Sequence, residues 1–339
     1  MTTSNLIPAA STSSIFACER PALPDRGYLL LDPSALSDAH TLASQPLKVC
    51  VPANWGQDAM GLPVLIDLAQ CDVLQHEKLA LQLENEDRSC QQTPLMHVGI
   101  CAHIEINMGI DAFAAHLAER LLVMPISRDG NRALKGVLWR YFDPRVFANL
   151  CWMLDSGSLA TLTGSASRWT FPWLGAWYKF DAAADDGVAI ESQPLAAQAD
   201  RIAGFMPVDM EMWARAQQVS TINQVLVRLA MLEPLWVQRV AVARRVETAM
   251  TEARHCLHWD HPEDQAQYAE YVVRYGPAFL EHPKLIEYWP QIKSRTTNLR
   301  CADLVSLLSP DDYTALAQAA TAPVGKSPSN KPFTRGANR

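Results

Sequence analysis

Charge is scarce in this sequence: Asp, Glu, Lys and Arg make up only 19% of its 339 residues, and the formal net charge is −7. A surface that grips duplex nucleic acid must neutralise phosphates with clustered cations, so this balance argues against a nucleic-acid partner. Long apolar runs are missing too. No stretch of about 18 consecutive apolar residues occurs, which excludes a transmembrane helix and leaves no expected membrane partner. Met1 to Cys18 contains no Lys or Arg, so the positive start of a secretory leader is absent and none is expected. Ile15-Phe16-Ala17-Cys18 has the outline of a lipoprotein cleavage box, but the Ser/Thr-rich stretch before it lacks an apolar core that could insert. The eight cysteines form no C-x-x-C pair and no short secreted framework, which predicts reduced thiols and a cytoplasmic location. There is no P-loop, G-x-G-x-x-G, G-x-S-x-G elbow or H-E-x-x-H helix, and the commonest nucleotide enzymes and hydrolases lose support with them.

What is present is apolar. At 49% hydrophobic residues, a chain of this length can bury about three quarters of its unfolded surface, enough for one large domain or two ordinary ones. Residues 1–26, rich in Ser, Thr, Ala and Pro, predict a poorly ordered lead-in. Tyr28–Leu31, Leu47–Val51 and Pro63–Leu68 are short apolar runs closed by turn residues and predict strands, as does His97–Ile106. Between them, Cys71–Glu86 carries a loose helical spacing through Val73, Leu74, Leu79, Leu81 and Leu83. Asp111, placed as an N-cap, precedes a string of helix formers ending at Leu122. Arg128-Asp129-Gly130-Asn131 has turn composition, and Gly136–Phe142 is β-branched and aromatic, so a strand is expected. Asp143-Pro144 then starts a helix to about Leu154, because Pro at the first helical position lacks only an N–H that would go unpaired. Trp169–Phe180 returns to strand-like sequence.

From Asp181 the composition changes. Residues 181–206 are Ala-rich and acidic with Gly187 and Pro194, which predicts a linker. After Pro207 the period is helical. Helices are expected at 208–218, at 221–232 and, most clearly, at 235–257, where Trp236, Val240, Ala243, Val246, Met250, Ala253 and Leu257 recur at steps of three and four. A further helix follows Asp260, with the stripe Tyr268, Tyr271, Val272, Tyr275 and Phe279 broken by Gly276-Pro277. The last residues, 319–339, hold Lys326, Lys331, Arg335 and Arg339 among Pro, Gly, Ser and Asn, and predict a disordered basic tail. The fold expectation is an α/β lobe over 27–180 and an all-α lobe over 207–318.

Candidate chemistry is sparse. His255, His258 and His261 could meet around a helix end and ligate zinc, though zinc usually draws ligands from two segments, and solvated or helix-capping imidazoles fit the same pattern. Asp67 and Asp143 lie at strand ends as an acid–base pair would, but a helix cap explains Asp143 and a polar strand end explains Asp67. Trp169, Trp173 and Trp177 could stack on bases or a sugar, yet so few cations accompany them that core or protein-interface use is the better reading.

One cluster of motifs carries a resemblance. Leu65-Ile66-Asp67-Leu68-Ala69, His116-Leu117, Asp129-Gly130, Gly164, Trp169 and above all Trp139-Arg140-Tyr141-Phe142-Asp143-Pro144-Arg145-Val146 resemble a bacterial domain family of type VI secretion effector adaptors, or chaperones. The resemblance runs from Leu65 to Phe180. It implies a cytoplasmic, non-catalytic protein without a cofactor that binds one cognate effector and helps load it on the VgrG spike. The residues it singles out are Asp67, His116, Arg140, Tyr141, Asp143, Pro144, Arg145 and Trp169. Arg140 and Arg145 flank the capped turn, where they suit either an internal pair with Asp143 or recognition of a partner's carboxylate. Partner choice is expected in the helical lobe. The rival expectations are an enzyme with a dispersed or histidine-based metal site, and a self-associating scaffold.

Overall fold

The computed structural model describes residues 15–36, 45–53, 55–56, 58–59, 61–126, 136–164, 166–181, 205–232 and 240–321. It has an α/β N-terminal lobe followed by an α-helical C-terminal lobe, and the chain divides into two compact units at Arg244/Arg245.

The first unit holds, in chain order, β1 (Ile15–Cys18), β2 (Tyr28–Leu31), β3 (Leu47–Val49), β4 (Val64–Asp67), α1 (Val73–Gln92), β5 (Ile100–Ile106), α2 (Ile110–Leu121), β6 (Leu122–Ile126), β7 (Val137–Leu138), α3 (Pro144–Met153), α4 (Ser156–Thr163), β8 (Ala166–Trp173), β9 (Ala176–Asp181), β10 (Met206–Asp209), α5 (Met210–Gln217) and α6 (Val219–Ala230). Seven strands form one antiparallel sheet in the order β1-β9-β8-β5-β2-β4-β3, and a three-stranded sheet runs β10-β6-β7. The period of two in strand sequence decides what each sheet face meets. Leu29, Leu31, Ile66 and Ile100 pack on Leu79 and Leu83 of α1. On the other face Tyr28 stacks on Phe113 of α2 at 5.9 Å, and Trp169 of β8 stacks on Phe147 of α3 at 4.6 Å. Phe171 and Phe180 meet the same Phe147 ring edge-on. The tryptophans of β8 and β9 are therefore core residues. The β8–β9 hairpin turns through Leu174-Gly175, both with positive φ (52° and 73°), the two-residue geometry whose twist matches paired strands.

The second unit begins inside α7 (Val240–Cys256) and continues through α8 (Pro262–Tyr275), α9 (Pro277–Leu280), α10 (Tyr288–Lys293), α11 (Cys301–Ser306) and α12 (Pro310–Thr321). Its centre is Tyr268, fully buried and ringed by Trp259, Phe279 and Trp289 at 5.7–6.5 Å. Gly276, at φ 59°, ends α8 and lets Pro277 begin α9, as the broken aromatic stripe predicts.

Several expectations shift. Ile15–Cys18, expected within the lead-in, pairs with Trp177–Phe180 as an edge strand. The strand expected over Gly136–Phe142 is only Val137–Leu138 long, because Arg140 to Asp143 form a turn closed by Asp143 N–H on the Arg140 carbonyl at 3.0 Å. Asp111 sits in the first turn of α2, with Gly109 at the cap. In α1, Val73, Leu74 and Leu81 are exposed, and the buried stripe is Leu79, Leu83, Glu86 and Cys90. The boundary expected at 207 falls at 244/245 instead. Met206–Asp209 pairs in parallel with Val123–Ile126 and thereby ties α5 and α6 to the sheet-bearing unit. Helix α12 reaches Thr321, past the expected start of the tail at 319. Linker residues 182–204, tail residues 322–339 and the Asp129-Gly130 turn lie outside the described residues.

Candidate functional site

The segment from Trp139 to Val146 is built around two aspartates that each cap a turn containing proline. Asp143 caps α3: its Oδ1 accepts the Arg145 backbone N–H at 2.9 Å, and Pro144 takes the first helical position. The same carboxylate accepts the Arg145 guanidinium side-on, Nε at 3.0 Å to Oδ1 and Nη2 at 2.6 Å to Oδ2. This two-point fork fixes the guanidinium plane against the helix start. The second cap is Asp32, after β2. Its Oδ1 accepts Ser34 N–H at 3.0 Å and Ser34 Oγ–H at 2.6 Å, while Oδ2 accepts from Arg140 and lies 2.7 Å from His97 Nε2.

Asp32 is fully buried. Burial alone would raise its carboxyl above the usual range, but the Ser34 hydroxyl, the Arg140 charge and the His97 ring outweigh it and hold the group below that range. Arg140 also lies over the Phe142 ring, 5.2 Å from its centroid, a cation–π contact that fixes the remaining face of the guanidinium. Nearby, the buried carboxylate of Glu86 accepts Ile100 N–H at 2.8 Å and Gln82 Nε2 at 2.6 Å. Burial pushes Glu86 upward against those hydrogen bonds. Arg140 and Arg145 thus both have internal carboxylate partners, on different aspartates.

Beside the Asp143–Arg145 fork opens a groove of about 420 Å³ within the first unit. Trp139 and Trp213 meet edge-on at 6.3 Å along it. Helix α6 contributes Ser220, Asn223, Gln224 and Val227 to the lining, one helical face at steps of three and four. Ser220, Gln224 and Val227 are exposed, as is Gln217 of α5. Met231, one step further along the same face, is 82% exposed. The floor is tied by Asn223, whose Nδ2 donates to the Arg145 carbonyl at 3.2 Å and whose Oδ1 accepts from Asn149 at 3.2 Å. Indole edges, neutral amides and one matched ion pair form a surface suited to main-chain amides and apolar side chains.

The other sequence candidates lie elsewhere. Asp67 caps the short turn Leu68–Gln70 through Ala69 N–H at 3.1 Å. It pairs with Tyr28, at the opposite end of β2 from Asp32, so Asp67 and Asp143 are not brought together as an acid–base pair. His116 bonds through Nε2 to the Leu162 carbonyl at 3.2 Å, and Arg120 caps the Thr161 carbonyl, so α2 closes the C-terminal end of α4. Burial, aided by Arg120, pushes the His116 imidazole down to about 4. Gly164, at φ 65°, lets the chain pass this ring; a Cβ there would come within 2.7 Å of it. Tyr141 is fully buried and donates to the Leu117 carbonyl at 3.2 Å. Trp169 is core. Among the described residues no group of three His, Cys, Asp or Glu side chains could hold a metal, so His255, His258 and His261 do not assemble a zinc site. Sequence reading missed Asp32, Glu86 and His97. Asp32-Pro33-Ser34 repeats the Asp-Pro cap of Asp143-Pro144-Arg145, a local signal that was there to be read, but its pairing with Arg140 spans 108 residues.

No protein-family model, curated protein or solved structure matches the chain. Among the described residues no helix is long and apolar enough to cross a membrane. All eight cysteines are unbridged.

Proposed function

We propose that this chain is a cytoplasmic, non-catalytic adaptor that holds a polypeptide partner in the groove between the N-terminal end of α3 and helices α5 and α6. The observation that carries the reading is the position of the Arg-Tyr-Phe-Asp-Pro-Arg motif. Its two arginines are used inside the fold, on Asp32 and Asp143, and the Asp143–Arg145 pair lines a groove of indole, amide and aliphatic groups. Such a lining offers hydrogen-bond donors and acceptors to an extended main chain and shelter to an apolar anchor, the usual division of labour where a protein grips a segment of another. With the motif's resemblance to type VI secretion effector adaptors, this makes the partner a cognate effector delivered to the VgrG spike.

The test is co-expression of the chain with a type VI effector and a VgrG spike protein, followed by affinity purification. Ser220→Arg combined with Gln224→Arg fills the groove from two exposed positions that the core does not use. The reading requires a stoichiometric complex that these substitutions weaken at least roughly tenfold, the loss of one hot-spot contact. A complex of unchanged affinity places the partner on another surface.

A further inference from the structure

Non-glycine residues rarely adopt positive φ, since the Cβ then crowds the backbone. Among the described residues three do so: Leu174, His258 and Arg295. The β8–β9 hairpin explains Leu174. The other two, at φ 58° and 55°, lie in the second unit, both line one cavity of about 490 Å³, and they touch: Arg295 Nη2 is 3.0 Å from His258 Nδ1. Both follow a helix end: Trp259 N–H returns to the Ala253 carbonyl of α7 at 3.1 Å and Thr296 N–H to the Gln291 carbonyl of α10 at 2.9 Å, so each left-handed residue closes a helix, and the two closures bring a guanidinium and an imidazole together at the cavity.

The chemistry of the contact defines what the cavity takes. A guanidinium can only donate, so His258 Nδ1 is the acceptor and the ring proton sits on Nε2, a donor. His258 spends no negative charge on Arg295, and no carboxylate among the described residues is ion-paired with Arg295. The other arginine of the cavity, Arg300, is neutralised by buried Asp264, Nε to Oδ2 at 3.0 Å, with exposed Glu263 alongside at 3.6 Å. Asp264 is further satisfied by Cys301 N–H at 3.1 Å. Asp260, the remaining acid of the cavity, is exposed to water, which screens it. His261 also lines the cavity, as the N-cap of the 14-residue α8, and makes no side-chain capping bond there. That helix start adds its positive dipole end to a fork donor and an imidazole N–H.

We propose that this cavity is an oxyanion site, in which the Arg295 guanidinium and the His258 Nε2–H bind a phosphate or carboxylate group. The site stands independently of the groove in the first unit and of any partner held there. Titrating the full-length chain with inorganic phosphate and, separately, with acetate, while following the histidine side chains by ¹⁵N-resolved NMR, reads it directly. A saturable shift of His258 with phosphate assigns a phosphate-bearing ligand, and one with acetate assigns a carboxylate such as a polypeptide terminus. Arg295→Gln should weaken that binding roughly tenfold or more, the loss of a charge-assisted hydrogen bond. Arg295 is exposed, so the variant's melting temperature should stay near that of the parent. His255→Gln, at an exposed position on α7, should leave binding unchanged. Absence of a saturable His258 shift with either anion, or equal binding by the folded Arg295→Gln variant, overturns the proposal.

Discussion

Replacing Asp32 by Asn probes the cluster that holds the motif in place. In the parent, Oδ1 serves Ser34 and Oδ2 serves Arg140 and His97. An asparagine can keep the Ser34 bonds on its oxygen, but its amide then points N–H groups at the guanidinium and the imidazole. Two charge-assisted bonds, each worth about 1.5–3 kcal/mol, become donor–donor contacts. Because about a third of the Arg140 side chain is exposed, water recovers part of that loss. The expected cost is about 2–3 kcal/mol at pH 7, read as the change in unfolding free energy from urea denaturation. The pH dependence follows from the direction of the Asp32 shift. The folded carboxyl lies below its unfolded value, so the ionised form is favoured by folding. That contribution is present above about pH 4 and is lost as pH falls through the lower folded value. Asparagine cannot titrate, so the gap between parent and variant should narrow as the solution is acidified below about pH 4. A variant as stable as the parent at pH 7, or a gap independent of acid, refutes the clamp.

Other outcomes are equally definite. His116 titrates near 4 in the folded protein against an ordinary value of 6.5, so its neutral form is favoured by folding; stability should be full above about pH 6.5 and fall by about 3 kcal/mol as pH drops to about 4. In His116→Gln this part of the acid limb should be missing from pH-dependent melts. Gly164→Ala places a Cβ against the His116 ring at a positive φ and should cost about 2–3 kcal/mol in chemical denaturation. Phe147→Ala removes the ring on which Trp169, Phe171 and Phe180 converge, with an expected loss of about 3–5 kcal/mol and a change in tryptophan fluorescence on the same samples.

What the sequence disclosed was local. Asp143-Pro144 announced a capped helix because Asp accepts a backbone N–H two residues on, and the helix at 144–153 begins there. The aromatic stripe ending at Gly276-Pro277 is likewise an effect of a few neighbouring residues. Pairings between distant segments were not legible. Ile15–Cys18 becomes a strand only because Trp177–Phe180 lies beside it, and nothing in four apolar-to-neutral residues after a Ser/Thr-rich stretch points to that partner. Helices 210–217 and 219–230 have the expected amphipathic period, yet they join the sheet-bearing unit because Met206–Asp209 pairs with Val123–Ile126 across the linker. The candidate site divides the same way. Asp143, Pro144 and Arg145 were readable as a capped, charged helix start, whereas the Arg140–Asp32 pair and the α5–α6 wall of the groove depend on tertiary contacts.

Calorimetric titration of the purified chain with its candidate effector, in the presence and absence of the VgrG spike, tests the central claim most directly. The account predicts a one-to-one complex with the effector, micromolar or tighter, that Ser220→Arg/Gln224→Arg weakens at least roughly tenfold while the fold is retained. No heat of binding with either protein, or turnover of a small-molecule substrate by the isolated chain, contradicts it.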